Sequence, residues 1–262
     1  MNVQIKLFLI LLTAGLLGVF SFLLVDLSAL IAILPIPAGT EIPPITPGLK
    51  ILSLVQPSVI LLVAVLVGVA LASKVGLTSP VAEAAASGTD LVSALKPQIV
   101  PGIIGGLTGG VVIVLVSSLW KPFLPTEVVA LLAEFGKLVP LPTRVLYGGI
   151  TEELLLRWGL MTFLLWATWR LFQKKENKPK SAHFVVAILI SSIVFGIGHL
   201  PIAFLLFPQA TTTLIIFIVA ANSLFGLIAG YLYWKKGLES AMIAHMLAHV
   251  VMLTASYFGA YF

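Results

Sequence analysis

Apolar residues in this chain fall in blocks about as long as a bilayer is thick, and polar residues stand mostly between them. The first block follows Lys6 and continues to Val25. A second runs from about Ile51 to Ser73, a third from about Pro97 to Leu119, and a fourth from near Thr143 to Trp169. Three more follow: about His183 to Leu200, Thr211 to Trp234, and Leu238 to Tyr257. A helix rises 1.5 Å per residue, so about 20 apolar residues cross the ~30 Å hydrocarbon core. The pattern predicts an all-α polytopic transmembrane bundle of about seven spans, or eight with a re-entrant or unrecognised helix. The first block is too long for a signal peptide and has no small-x-small cleavage site before Asp26, so it is read as a retained span.

The connecting stretches carry weaker signals. Leu27 to Pro47 is proline-rich and includes Gly39-Thr40-Glu41-Ile42-Pro43-Pro44, a loop pattern. Residues 76–96 read as a polar loop of small residues with Glu83, Asp90 and Lys96. Thr126 can cap a short amphipathic helix, 127–136, lying on the membrane surface. In the third span, Gly102, Gly105, Gly106, Gly109 and Gly110 suit close helix contact. Lys6, Lys74, Lys96, the basic loop with Lys174, Lys175, Lys178 and Lys180, and Lys235–Lys236 fall on one side of a seven-span bundle. Lys50, Lys121, Lys137 and Arg144 fall on the other, so the positive-inside rule places the N-terminus in the cytoplasm.

Composition agrees with a membrane protein. Of 262 residues, 60% are hydrophobic and 10% charged, and the mean hydropathy is +1.14. A soluble domain is closer to a quarter charged. The chain reads as one integral membrane domain. Residues 1–142 supply helices and loops without a recognised motif, and 143–262 supply a motif-bearing core. Having no Cys excludes disulfides, cysteine-ligated zinc and thiol catalysis. The net charge of +5 sits in loops, with no basic stripe among aromatics, so no nucleic-acid partner is expected.

The polar residues inside the spans change the picture most. Glu152, Glu153 and Arg157 lie within an apolar run, where ionisable groups mark function by default. Glu153 and Arg157 are four apart and can pair on one helix face, which leaves Glu152 free. His245 and His249 share a face by the same spacing, and His199 stands two residues ahead of Pro201, where a helix tends to break. Each histidine alone could be satisfied by a backbone carbonyl or the interface; together with the carboxylates they favour one shared site. His183 reads as interfacial and Asn222 as structural. Glu83, Glu239 and the remaining acids read as loop or interface residues. A desolvated carboxylate can accept a proton near neutral pH, and imidazoles can orient water, bind metal or donate to an oxyanion. That chemistry suits hydrolysis by activated water. Intramembrane carboxylates and histidines also line ion paths, but the inverted repeats of a transporter are not evident.

The succession Glu152-Glu153 with Arg157, then Phe195 with His199, then His245 with His249 resembles the CPBP family. That family comprises type II CAAX prenyl endopeptidases and bacteriocin-processing or immunity (Abi) proteins. Tyr233-Trp234-Lys235-Lys236-Gly237-Leu238-Glu239-Ser240 is similar to the family's lead-in to its last motif. The resemblance covers roughly residues 140–255. It implies an intramembrane endopeptidase in which Glu152 and His199 activate water, Glu153 and Arg157 pair structurally, and His245 and position 249 stabilise the oxyanion. Position 249 departs from the usual Asn. The preferred reading needs no metal, since Glu152 can act as the base; the alternative is zinc held by Glu152, His199, His245 and His249. Expected partners are membrane lipid and a membrane-associated peptide or lipidated protein. A non-catalytic scaffold or immunity protein keeping the same fold is the competing function. Straight helices would leave His199 and His245 about 20 Å apart in depth, a mismatch that tilt or a break near Gly237 would have to close.

Overall fold

The structure, a computed structural model, describes residues 2–37, 39–40, 44–173 and 177–261. Glu41 to Pro43 of the proline-rich loop and Lys174–Lys175 of the basic loop lie outside the described residues. The described residues form helices and no strand.

The first span is α1 (Val3–Phe20), extended by a 3-10 turn, Ser21–Leu24, and followed by the short α2 (Leu27–Ala32). The second comprises α3 (Pro47–Ser53) and α4 (Val55–Val75), which ends at Gly76 in the left-handed region, φ 78°. The stretch read as a polar loop, 76–96, instead holds α5 (Pro80–Ser87) and the start of α6 (Leu91–Trp120). Helix α6 begins before Pro97 because the Asp90 carboxylate caps it, accepting the Val92 N–H at 3.0 Å. Both Pro97 and Pro101 are then accommodated inside the helix. The amphipathic helix is present as α7 (Thr126–Leu138); Thr126 is its first residue rather than its cap, and Pro125 occupies the cap position.

Next comes a continuous helical run, 141–172. It consists of α8 (Leu141–Thr143), π-wound segments Arg144–Glu152 and Leu154–Met161, and α9 (Thr162–Phe172). The expected regular α-helix is thus replaced by i→i+5 winding across the motif, a form concentrated at functional sites. The last spans are α10 (Ser181–Ile197) with the short α11 (Leu200–Leu206), then α12 (Thr212–Lys235) and α13 (Leu238–Tyr257). Among the described residues, six helices are long and apolar enough to cross a membrane. The run 141–172, which carries Glu152, Glu153 and Arg157, is not among them.

Glycines set the packing. In α6, Gly102 lies against Ile243, Gly106 against Ala244 and Leu247, and Gly110 against Val251, all on α13. Gly105 and Gly109 meet Leu232 and Phe225 of α12. On α12, Gly226 and Gly230 lie against Ser192 and Ile188 of α10. The run 141–172 threads between these helices and the N-terminal ones. Thr151 donates to the Gly15 carbonyl of α1 at 2.7 Å, and the Trp158 indole sits on Gly68 of α4. The N-terminal spans therefore belong to the same bundle as the motif helices. Outward faces are apolar, with Ile60, Val63, Leu66, Ile104, Leu115 and Ile193 exposed, as contact with lipid requires.

The start of α13 is clasped to the α4–α5 connection. Leu238 N–H donates to the Thr78 carbonyl, and Glu239 Oε1 accepts from Ser79 Oγ at 2.6 Å and from the Val81 and Ala82 N–H groups. Glu239, expected as a loop or interface acid, instead caps α5 from another helix.

Candidate active site

The run 141–172 brings Glu152 and Glu153 to α13. The Glu153 side chain is fully buried. One of its oxygens lies 3.2 Å from Arg157 Nε, and the other accepts from or donates to His245 Nδ1 at 2.7 Å. Glu153 and Arg157 are in charge contact but off hydrogen-bond alignment, since neither Glu153 Oε2 nor Arg157 Nε finds a bonded partner. Arg157 Nη2 donates to the Gly226 carbonyl at 3.1 Å, and its guanidinium stacks 4.9 Å over the Phe195 ring. Two opposite buried charges thus cancel, and the resulting ion pair anchors an imidazole.

Glu152 is the carboxylate left over, as its position predicts, and its side chain keeps 19% exposure. Its Oε2 lies 3.8 Å from His245 Nε2. With Nδ1–H donated to the Glu153 carboxylate, neutral His245 directs the Nε2 lone pair toward Glu152. That gap is too wide for a direct hydrogen bond and suits an intervening water.

His245 and His249 stack, ring centroids 4.9 Å apart, as their four-residue spacing requires. His249 fits because Gly148 faces it: a Cβ there would stand within 2.4 Å of His249 Nε2. His249 Nδ1 is buried without a hydrogen-bond partner. His199 sits in the break between α10 and α11, and its Nδ1 bonds to the Phe195 carbonyl at 2.9 Å. Phe195 joins it to the site. The His199 and His245 rings stand nearly perpendicular to the Phe195 ring, at 4.9 and 5.7 Å. The two imidazoles are therefore no further apart than those distances together, and the depth mismatch expected for straight helices is closed. The long Phe195 side chain bridges it, and α13 lies along the glycine face of α6 instead of running beside α12 for its whole length.

The arrangement differs from the simplest expectation in two ways. The imidazole beside Glu152 is that of His245, while His199 is within electrostatic reach of His249. Glu153, expected only to pair with Arg157, also orients His245. Two contributors escaped sequence reading. Phe225 packs on the His245 ring at 4.5 Å, and Gly148 makes room for His249. Gly148 carried a usable signal, since Gly148 and Glu152 repeat the spacing of His245 and His249.

The donors do not form a metal cage. Among the described residues, no group of three or more His, Asp or Glu side chains is placed to hold an ion. His245 Nδ1 is bonded to Glu153 and His199 Nδ1 to a carbonyl, which leaves Nε2 as the nitrogen each ring can offer to water or substrate. Two surface grooves, beside Leu206 and Leu214 and beside Phe20 and Leu54, lie away from these residues.

Fold and site together define a polytopic α-helical membrane protein with a buried carboxylate–histidine cluster. Residues 134–251 match the family model described as "Type II CAAX prenyl endopeptidase Rce1-like". Comparison with curated proteins and with solved structures gives no match.

Proposed function

We propose that the chain is an intramembrane endopeptidase that hydrolyses a peptide bond of a membrane-associated substrate with water activated by Glu152. The observation that carries this reading is the division of labour between adjacent carboxylates. Glu153 is neutralised by Arg157 and fixes His245, whereas Glu152 is partly open and faces the free nitrogen of that ring. A water held between Glu152 and His245 Nε2 would lose its proton to Glu152 as its oxygen attacks the carbonyl carbon. Glu152 would then return the proton to the leaving amine. His249 and His199 are the candidate donors to the oxyanion, where preorganised donors contribute most. No metal is required in this scheme. The family supports a substrate with a lipidated chain end, embedded beside membrane lipid.

The distribution of basic residues supports a cytoplasmic N-terminus by the positive-inside rule. Glu152 lies in the half of the run 141–172 that follows α7, so on this orientation the site is reached from the non-cytoplasmic face.

The test uses purified protein in lipid vesicles with a membrane-anchored peptide. Glu152→Gln should lower cleavage by about 10²- to 10⁴-fold, the usual contribution of a general base, with an unchanged unfolding curve. Full activity in that variant would end the proposal. Activity lost to a chelator and restored by zinc would replace the metal-free scheme with the metal-bound one. His249, where the family pattern usually has Asn, favours the scaffold alternative, which requires Glu152→Gln to keep the cellular phenotype.

A further inference from the structure

Beyond Tyr257 the chain turns back toward the bundle. Gly259 takes the left-handed region, φ 72°, and its N–H donates to the Ser256 carbonyl at 3.0 Å. Ala260 N–H donates to the Ala255 carbonyl at 2.8 Å, so α13 closes in a glycine turn that reverses the chain. The residues after the turn meet α6: the Ala260 carbonyl accepts from Ser118 Oγ at 3.2 Å, and the Tyr261 ring packs on the main core. The Tyr261 hydroxyl lies beside Ser117, a side chain only 1% exposed, and within electrostatic reach of Arg144. Arg144 is a fixed point. Its Nε donates to the Val139 carbonyl at 2.9 Å and its Nη2 to the Gly136 carbonyl, which ties the start of the π-wound segment to the end of α7. Arg144, Gly148 and Glu152 follow at four-residue intervals; Gly148 and Glu152 stand beside His249 and His245, and Arg144 is within electrostatic reach of His249. Tyr261 therefore stands at the outer end of the carboxylate–histidine row.

The attachment of this segment is light: an exposed serine hydroxyl of α6 and a ring at the edge of the core. A segment held in that way opens at a free-energy cost far below that of global unfolding. We propose that residues 258–261 form a plug over the outer mouth of the site, and that Tyr261 must leave Arg144 before a peptide reaches His249 and Glu152. The proposal rests on the peptidase reading and adds the control of access to that site. Tyrosine suits the task because its rigid ring fills an apolar mouth while its hydroxyl meets the cation at the rim. A cover also keeps lipid chains out of a polar cluster while no peptide is bound. Plug and peptide compete for one space, so the apparent affinity for peptide falls with the fraction of molecules that are open, and loosening the plug acts on KM.

Two variants of the full chain open the plug by different means. Tyr261→Ala removes the ring. Gly259→Ala keeps the ring and strains the turn: no atom lies within 4 Å of an added Cβ, so only the left-handed backbone is penalised, by roughly tenfold in the closed population. Opening is read without catalysis by Ser117→Cys, placed in a chain that has no native Cys. In detergent, a water-soluble maleimide should label that position slowly, and roughly tenfold faster when either variant is added, with the unfolding midpoint unchanged. Without the reporter, in vesicles carrying a membrane-anchored peptide, both variants should raise kcat/KM by about five- to tenfold, mainly through KM. Tyr261→Phe, which keeps the ring, should stay close to wild type. Faster labelling with cleavage unchanged or reduced overturns the proposal, because the tail then moves without guarding the site. Labelling that stays slow in both variants also overturns it, since Ser117 is then covered by something else. If neither wild type nor variants cleave any peptide while labelling still rises, the peptidase reading fails and the plug stands over a site with another task.

Discussion

At the scale of single residues, the site depends on charges that have lost their water. Glu153 and Arg157 are both buried and answer each other, while His245 completes the set. Removing one partner of a buried pair leaves the other uncompensated and typically costs about 3–5 kcal/mol. Glu153→Gln should therefore destabilise the protein by about that amount, and adding Arg157→Met should recover most of the loss. Denaturant titration in detergent reads both effects; a harmless Glu153→Gln would show that the pair is not a shared support. The four-residue spacing made this pair legible in the sequence. The bond from His245 to Glu153 was not legible, because the two residues are 92 positions apart.

At the scale of elements, the π-wound run decides where the carboxylates stand, and glycines decide how closely neighbours approach. A Cβ at Gly148 would meet the end of the His249 side chain, which can swing aside, whereas one at Gly106 would meet the Ala244 carbonyl oxygen at 2.7 Å. Gly148→Ala should cut cleavage severely with little change in unfolding midpoint. Gly106→Ala should cost stability, about 1–3 kcal/mol as overpacking usually does. A reversal of that pattern would mean that the α6–α13 contact is soft. The helix α5 supplies a pH test outside the spans. Burial pushes the Glu83 carboxyl above its ordinary value of 4.5, the neighbouring Glu239 pushes the same way, and the Ser79 N–H bond opposes them. A carboxyl with a raised pKa binds its proton more tightly when folded, so its contribution to stability falls as pH rises from 4.5 through the folded pKa. Glu83→Gln should then raise the unfolding midpoint at pH 7, and the gain should disappear below pH 4.5. A gain that is the same at both values would assign it to something other than this proton. Apolar periodicity gave no warning of α5 or of the π winding, because alanine-rich segments and i→i+5 turns leave no distinct apolar repeat.

At the scale of the whole molecule, apolar faces turned outward and a polar cluster turned inward describe a bundle solvated by lipid. The proposed orientation is open to direct labelling, since the chain has no native Cys. Ser87 and Gln209 are exposed at opposite ends of the bundle. In right-side-out vesicles, a membrane-impermeant maleimide should label Gln209→Cys and spare Ser87→Cys. The opposite result would invert the topology and move the mouth of the site to the cytoplasmic face.

The amino-acid sequence by itself determined that this is a multi-span helical membrane protein, and it singled out the carboxylates, arginine and histidines within the spans. The reason is that the cost of placing a residue in hydrocarbon belongs to the residue and its near neighbours. Only the tertiary structure decided which imidazole stands beside which carboxylate, that Phe195 links His199 to His245, and that Glu239 caps a distant helix. Those choices come from lateral packing, where glycine contacts between segments far apart in the chain set the tilt and approach of each helix, and no local pattern encodes them.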